Sequence, residues 1–261
     1  MNTRSTLLIS TLLMIAGALL SCTGTRPYVK DRFENTFEDP VIILDEVIKI
    51  PSTGVNRKEI HLVLPVITGL KNATVFERLQ ETLSLKALFG VSLDDIRKEA
   101  AEGDLGTQRV HYQVNFNRHD ILDITLTMET MGAYPDHQNA HRIFDLKTGA
   151  RLSAADTFNK AMLNSLLARV KEMKAAHEKD AVNGLDVETK NVFVNLVSQA
   201  ELNLISLDEF SVSEKGVTFL YNYDFPHVMR ALEPNGQYFM SYAELKPYID
   251  PKGPLGVFLP H

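Results

Sequence analysis

Apolar and polar positions alternate along much of the chain with the two periods that separate strands from helices. Ile60, Leu62 and Leu64 alternate with Glu59, His61 and Val63 and run into Pro65-Val66-Ile67-Thr68-Gly69, a strand closing in a turn. From Asn72 to Phe89 the apolar groups Val75, Leu79 and Leu83 recur at helical spacing. Asn72 is placed to accept from the free amides of the first turn, and Gly90 stops the run. Val110, Tyr112, Val114 and Phe116 then alternate with His111, Gln113, Asn115 and Asn117. Leu122, Ile124, Leu126 and Met128 do so with Asp123, Thr125, Thr127 and Glu129. Each stretch has one oily and one wet face, and Asn117-Arg118-His119-Asp120 between them predicts a hairpin.

Further along, His141 to Leu146 predicts a strand ended by Lys147-Thr148-Gly149. Ser153 to Phe158 predicts the opening of a helix of about 20 residues reaching His177. Leu163, Leu166, Leu167 and Val170 would form its dry side, and Lys171, Lys174, Glu178 and Lys179 its wet side. A helical segment at Val187 to Leu196 follows, with strands near Phe210 to Val212, Val217 to Tyr223 and Gln237 to Ser241. Tyr242 to Tyr248 reads as a short helix or turn halted by Pro247. Strands in meanders and hairpins, with a few packing helices and no regular strand-helix-strand repeat, predict an α+β fold with antiparallel sheets. It would comprise two small domains or one bipartite domain.

The amino terminus has a different pattern. Arg4 precedes an apolar run from Leu7 to Leu20, too short to span a bilayer, which needs about 20 apolar residues, and suited to a cleavable export signal. Cys22, the one cysteine of the chain, follows at once. A lone thiol in an exported protein has no disulfide partner. Leu19-Leu20-Ser21-Cys22 resembles the bacterial lipobox, and that resemblance implies cleavage before Cys22 and diacylglycerol on its sulfur. Two or three acyl chains hold a protein on a membrane where one does not. Thr23 stands where the signals it resembles carry Asp for inner-membrane retention. This implies an outer-membrane destination, facing the periplasm or the surface, in a cell that has one. Thr23 to Pro40 is polar and broken by Pro27 and Pro40, and reads as a tether.

Composition narrows the function classes. Apolar residues form 44% of the 261 residues and charged residues 23%, enough for a buried core. The formal charge is −6, without a block of basic residues, which argues against a nucleic-acid partner. There is no Gly-rich phosphate loop, Gly-x-Ser-x-Gly elbow or cysteine-based metal site, so a nucleotide enzyme or serine hydrolase has little support. No cofactor is expected.

Three stretches carry a family resemblance. Pro65 to Asn72, with Val75 and Leu79 behind it, is similar to the start of the PdaC-like (DUF4163) domain. Gly132-Ala133-Tyr134-Pro135, followed by Phe144 to Gly149 with Leu152, Asp156 and Phe158, resembles the RsiV-like (DUF3298) partner domain. So does Phe219-x-Tyr221-x-Tyr223-Asp224-Phe225-Pro226 with Tyr242-x-Glu244-Leu245-Lys246-Pro247-Tyr248. The resemblance implies paired extracytoplasmic α+β domains. In RsiV-like proteins such a region binds lysozyme; in PdaC-like proteins it accompanies a separate peptidoglycan deacetylase. Here Met131 and Tyr134 depart from the common Gly-Gly-Ala-His form. The expected organisation is a signal peptide at 1–21, a tether at 22–40, a PdaC-like domain at 41–140, an RsiV-like domain at 141–250 and a tail at 251–261.

Two features invite chemistry. His137-Gln138-Asn139-Ala140-His141 has the histidine spacing of a zinc-protease helix, but Gln138 stands where a Glu general base is required. Pro135 and the strand-like Ile143-Phe144 place the pair in a loop, where residues i and i+4 no longer share a face. Gly132 to Asn139 reads either as an ordinary connecting loop or as a contact surface in which Tyr134, Asp136, His137 and Asn139 meet a sugar or a protein. Tyr221, Tyr223, Phe225 and Tyr238 read as the core face of a sheet rather than a glycan platform. The expected function is a non-enzymatic, lipid-anchored envelope module binding a lysozyme-like protein or peptidoglycan. The alternative is an envelope hydrolase or deacetylase-type enzyme, metal-dependent through His137 and His141.

Overall fold

The computed structural model describes residues 40–55 and 59–259. Cys22, the signal and the tether up to residue 39 lie outside them. The described residues fall within one compact unit, whose bounds in the chain are Phe33 and His261. Six strands run in the order β1 (Ile42–Pro51), β2 (Glu59–Thr68), β3 (Gly106–Arg118), β4 (Ile121–Met131), β5 (Pro135–Asp145) and β6 (Ala150–Arg151). All neighbours are antiparallel except the short parallel contact of β2 with β3. A second, antiparallel sheet of three strands holds β7 (Phe210–Ser213), β8 (Gly216–Leu220) and β9 (Gln237–Ser241). The fold is α+β, as the alternation predicts. The position expected to divide two domains, between residues 140 and 141, lies inside β5.

Three helices cover one face of the large sheet: α1 (Ala73–Thr82), α2 (Leu85–Phe89) and α3 (Leu93–Glu102). Asn72 caps α1 as expected, its side-chain oxygen accepting from the amides of Thr74 and Val75 at 3.0 and 3.4 Å. Gly90 ends α2 in the left-handed region at φ 75°. Val75, Leu79 and Leu83 pack on Val114, Leu122, Ile124, Leu126 and Phe144, while Leu85, Ile96 and Ala100 pack on Ile60, Leu62, Val110 and Met128. The β3–β4 hairpin turns at His119 and Asp120, both at positive φ (53° and 59°), the backbone of a tight two-residue turn that follows strand twist.

On its other face the large sheet meets the small one. Phe116, Ile121 and Ile143 share a core with Phe158, Phe210, Val212, Val217, Phe219 and Tyr238, and with Leu166 and Val170 of α5 (Leu163–Ala181). The alternation predicts Phe116 beside Val114 on one oily face, which here is the helix-covered side. A register shift between Val114 and Phe116 instead delivers its ring to the second sheet, since one extra residue inverts the alternation beyond it.

Three other expectations are corrected. The helix opening at Ser153 is not continuous. A short α4 (Ala154–Thr157), capped by Ser153, stops at Phe158, whose backbone is extended (φ −110°, ψ 158°) while its ring is buried against Phe210 and Phe219; α5 starts afresh at Leu163. The strand expected from His141 begins at Pro135, so of the supposed loop only residues 132–134 remain outside strands. Tyr221, Tyr223 and Phe225 lie beyond the end of β8, leaving Tyr238 on a strand. Tyr223 and Phe225 instead bury against Phe193 of α6 (Val187–Ser198). Strands β1 and β6 and helix α3 had no predicted counterpart.

Candidate contact surface on the β3–β5 face

Strand register assembles a polar surface on the sheet face turned away from α1 to α3. In an antiparallel pair, directly opposite residues point to the same side. Thr125 stands between Gln113 and His141, Thr127 between His111 and Asn139, and Glu129 between Arg109 and His137. The Thr127 hydroxyl donates to the Asn139 side-chain oxygen at 2.7 Å. The Glu129 carboxylate receives Arg109 at 3.5 Å and lies 3.7 Å from His111. His137, Asn139, Arg109 and Gln113 are exposed. His111 is half-buried, and burial holds its pKa below the ordinary histidine value, further lowered by Arg109 and opposed by Glu129.

The same face is closed at its other end. Asp123 is fully buried and accepts four hydrogen bonds: from His141 Nε2 at 2.7 Å, Asn115 at 2.8 Å, the Ser211 hydroxyl at 2.7 Å and the Val212 amide at 2.8 Å. Ser211 and Val212 belong to β7, so one carboxylate joins the two sheets. A serine, a histidine and an aspartate meet here, yet both Ser211 and His141 donate to the carboxylate. No base holds the serine proton, and the group does not make a hydroxyl nucleophile.

The four residues expected as one contact surface are divided by the strand. His137 and Asn139 lie on the open polar face. Tyr134 and Asp136 turn to the connection between β8 and β9, which includes a 3₁₀ helix at His227–Leu232. Tyr134 stacks on His227, with ring centroids 5.0 Å apart and planes 23° from parallel, and Asp136 receives Arg230 at 2.6 Å. That bond, with the His137 amide, holds the Asp136 carboxyl below its usual range. Nothing in the local sequence pairs Asp136 with a residue 94 positions away.

The histidine pair is also resolved by the strand. His137 and His141 do share a face, contrary to the loop expectation, because strand side chains repeat every second residue. Four residues of extended chain separate them by about 13 Å. His137 is exposed, whereas His141 is 9% exposed and bonded to Asp123. Among the described residues no group of three or more His, Cys, Asp or Glu is placed to hold a metal ion, and no helix is long and apolar enough to cross a membrane.

A further polar cluster, missed in the sequence, centres on Lys174. It was expected on the wet side of its helix and is 7% exposed. Its ammonium bonds Glu178 at 2.5 Å and lies 5.7 and 5.1 Å from the ring centres of Tyr221 and Tyr223. The Tyr223 and Tyr238 hydroxyls bond each other at 2.7 Å, and burial pushes Tyr238 up to about 12. The i, i+4 spacing of Lys174 and Glu178 was the available signal.

No protein-family model matches the chain, and no match is found among curated proteins. Its fold is similar to solved structures. A DUF3298 family protein from Bacteroides fragilis aligns with a TM-score of 0.53 and 14% identity, over 83% of this chain and 96% of that one. A DUF3298 family protein from Pseudomonas aeruginosa aligns with 0.55 and 14%, over 82% and 95%. The DUF3298-type architecture expected from the aromatic and Gly-Ala-Tyr-Pro stretches thus has structural neighbours at the level of the fold.

Proposed function

We propose that the chain is a non-catalytic binding module of the bacterial envelope, held by lipid at Cys22, whose ligand is a lysozyme-like protein or peptidoglycan. The observation that carries this reading is the contrast along one sheet face. Where the face is needed for folding it is apolar or, at Asp123, fully bonded and covered by β7. Where it is left open it displays Arg109, Gln113, Glu129, His137 and Asn139 in register across three strands. Charged, amide and imidazole groups on a rigid sheet can bond a protein or glycan surface without any reorganisation of the backbone.

The histidines argue for recognition over hydrolysis. His141 is committed to the Asp123 joint, and His137 stands about 13 Å along the strand from it. Retention of Phe33–His261 on lysozyme resin and on purified sacculi tests the reading. Binding to either, lost on changing Arg109, Glu129 and His137 together to alanine, supports it. Failure on both removes both partners. Processing of the full precursor in cells given radiolabelled palmitate, with a Cys22→Ser control, tests the anchor separately.

A further inference from the structure

A concave site lies away from the β3–β5 face, where β6, the segment before β7 and the end of β8 meet. It has a volume of about 350 Å³ and is lined by Arg151, Asn203, Ile205, Glu209, Tyr221 and Asn222 among others. That volume falls in the range of small-ligand clefts, roughly 300–1,000 Å³. We propose that this cleft binds a neutral, hydroxyl-rich ligand, a short stretch of saccharide, with Tyr221 as its apolar platform. The proposal rests on the reading above that the chain faces the cell wall.

Charge leaves no surplus cation for an anion, since Arg142 beside Arg151 and Glu209 is offset by the acids of the lining. Arg151 is already paired with Glu209, and Asp208, also in the lining, adds a further negative charge. Carboxylates accept hydrogen bonds from hydroxyls, guanidinium donates to them, and the side-chain NH2 groups of Asn203 and Asn222, whose oxygens accept from nearby backbone amides, can donate, a set suited to sugar hydroxyls. Ile205, 77% exposed, and Leu220 supply apolar surface beside Tyr221. The Tyr221 ring itself is held in place. Lys174 lies 5.7 Å from its centre, and the Tyr223 ring meets it edge-on, 5.0 Å away at 88°. A ring fixed before binding loses little rotational freedom on stacking, which is where a weak glycan contact gains affinity. Tyr221 thus differs from Tyr223, Phe225 and Tyr238, which the core absorbs.

The test is an NMR titration of Phe33–His261 with a soluble β-1,4-linked N-acetylglucosamine tetramer. Saturable shifts confined to Arg151, the 203–209 segment and Leu220–Asn222 are expected. Tyr221→Ala should weaken binding roughly tenfold, as loss of an aromatic stacking surface does. Ile205→Trp, a change at an exposed position that obstructs the cleft without touching the core, should abolish it and guards against a misfolded Tyr221 variant. Absence of saturable shifts, or shifts that survive Ile205→Trp, overturns the proposal. Sacculus retention that persists in Ile205→Trp but is lost in the Arg109, Glu129 and His137 variant would overturn this inference and leave the proposed function standing. Loss of retention in Ile205→Trp supports it.

Discussion

The two ends of the β3–β5 polar face are built from the same strands and the same kinds of residue, and they come to opposite ends. At one, Asn115, Asp123 and His141 are drawn under β7 and every strong contact turns inward. At the other, Arg109, Glu129, His137 and Asn139 stay open to water with weak, exposed contacts such as the 3.5 Å Arg109–Glu129 pair. Chemistry of the side chain does not decide which outcome holds. Position relative to the second sheet does, because Phe116, Ile121 and Ile143 bring an apolar seam down on the Asp123 end alone. A polar strand face is therefore a joint where an apolar neighbour covers it and a contact surface where none does.

The comparison breaks most severely at Asp123. Asp123→Ala strands four donors from both sheets in a dry setting. The stability of Phe33–His261 should fall by about 3–5 kcal/mol, since several buried donors lose their acceptor at roughly 1–3 kcal/mol each. Urea unfolding measures it. Glu129→Ala, on the same face of the same strand, should stay within about 0.5 kcal/mol. Equal losses would mean that the open end is as structural as the closed one.

How far the sequence foretold this contrast follows from the range of each interaction. Helix α1 was legible because its cap, Asn72, and its buried side chains Val75 and Leu79 lie within a few turns of each other. The β3–β4 hairpin was legible for the same reason. Strand β1 was not, because Ile42-Ile43-Leu44-Asp45-Glu46-Val47-Ile48 has no alternation to read. Helix α3 carried an unread local signal, the Ser92–Asp95 capping box. The start of β5 was hidden because His137, Gln138 and Asn139 are exposed and polar; their strand character comes from pairing with Glu129, Met128 and Thr127. Ser211 and Val212 at Asp123, Arg230 at Asp136 and the tyrosines over Lys174 lie up to 94 residues away and leave no trace in local pattern; of the Lys174 contacts only Glu178, one helical turn on, is local.

Lys174 offers a second contrast, a buried charge on a helix rather than a strand. With its side chain 9% exposed and that of Glu178 17% exposed, Lys174→Met leaves a carboxylate without its cation beside Tyr221 and Tyr223. A loss of about 2 kcal/mol is expected, less than at Asp123 because Glu178 retains some access to water. Lys174→Met combined with Glu178→Leu should recover most of it, since replacing both partners removes the uncompensated charge. A double variant as unstable as the single one would assign the cost to lost packing of the lysine stem instead.

The Asp136–Arg230 contact should matter least to global stability and most to local motion. Both side chains are more than a third exposed, and together with the Tyr134–His227 stack they hold the His227–Leu232 segment to the edge of β5. Arg230→Ala should leave the urea midpoint unchanged while amide exchange in His227–Leu232 accelerates.

His111 supplies the smallest and most conditional effect, a dependence on pH confined to the open end. Its folded-state pKa lies below the unfolded value near 6.5, chiefly because burial disfavours the imidazolium, with Glu129 opposing the shift and Arg109 adding to it. Below 6.5 the unfolded chain binds the proton more readily than the folded one. The contribution of His111 is thus fully present above about pH 6.5 and is lost as pH falls through the folded value. His111→Gln should flatten that part of the stability profile while leaving the plateau above pH 7 nearly unchanged. If His111→Gln left the acid limb as steep as before, the pH response would have to come from groups other than His111.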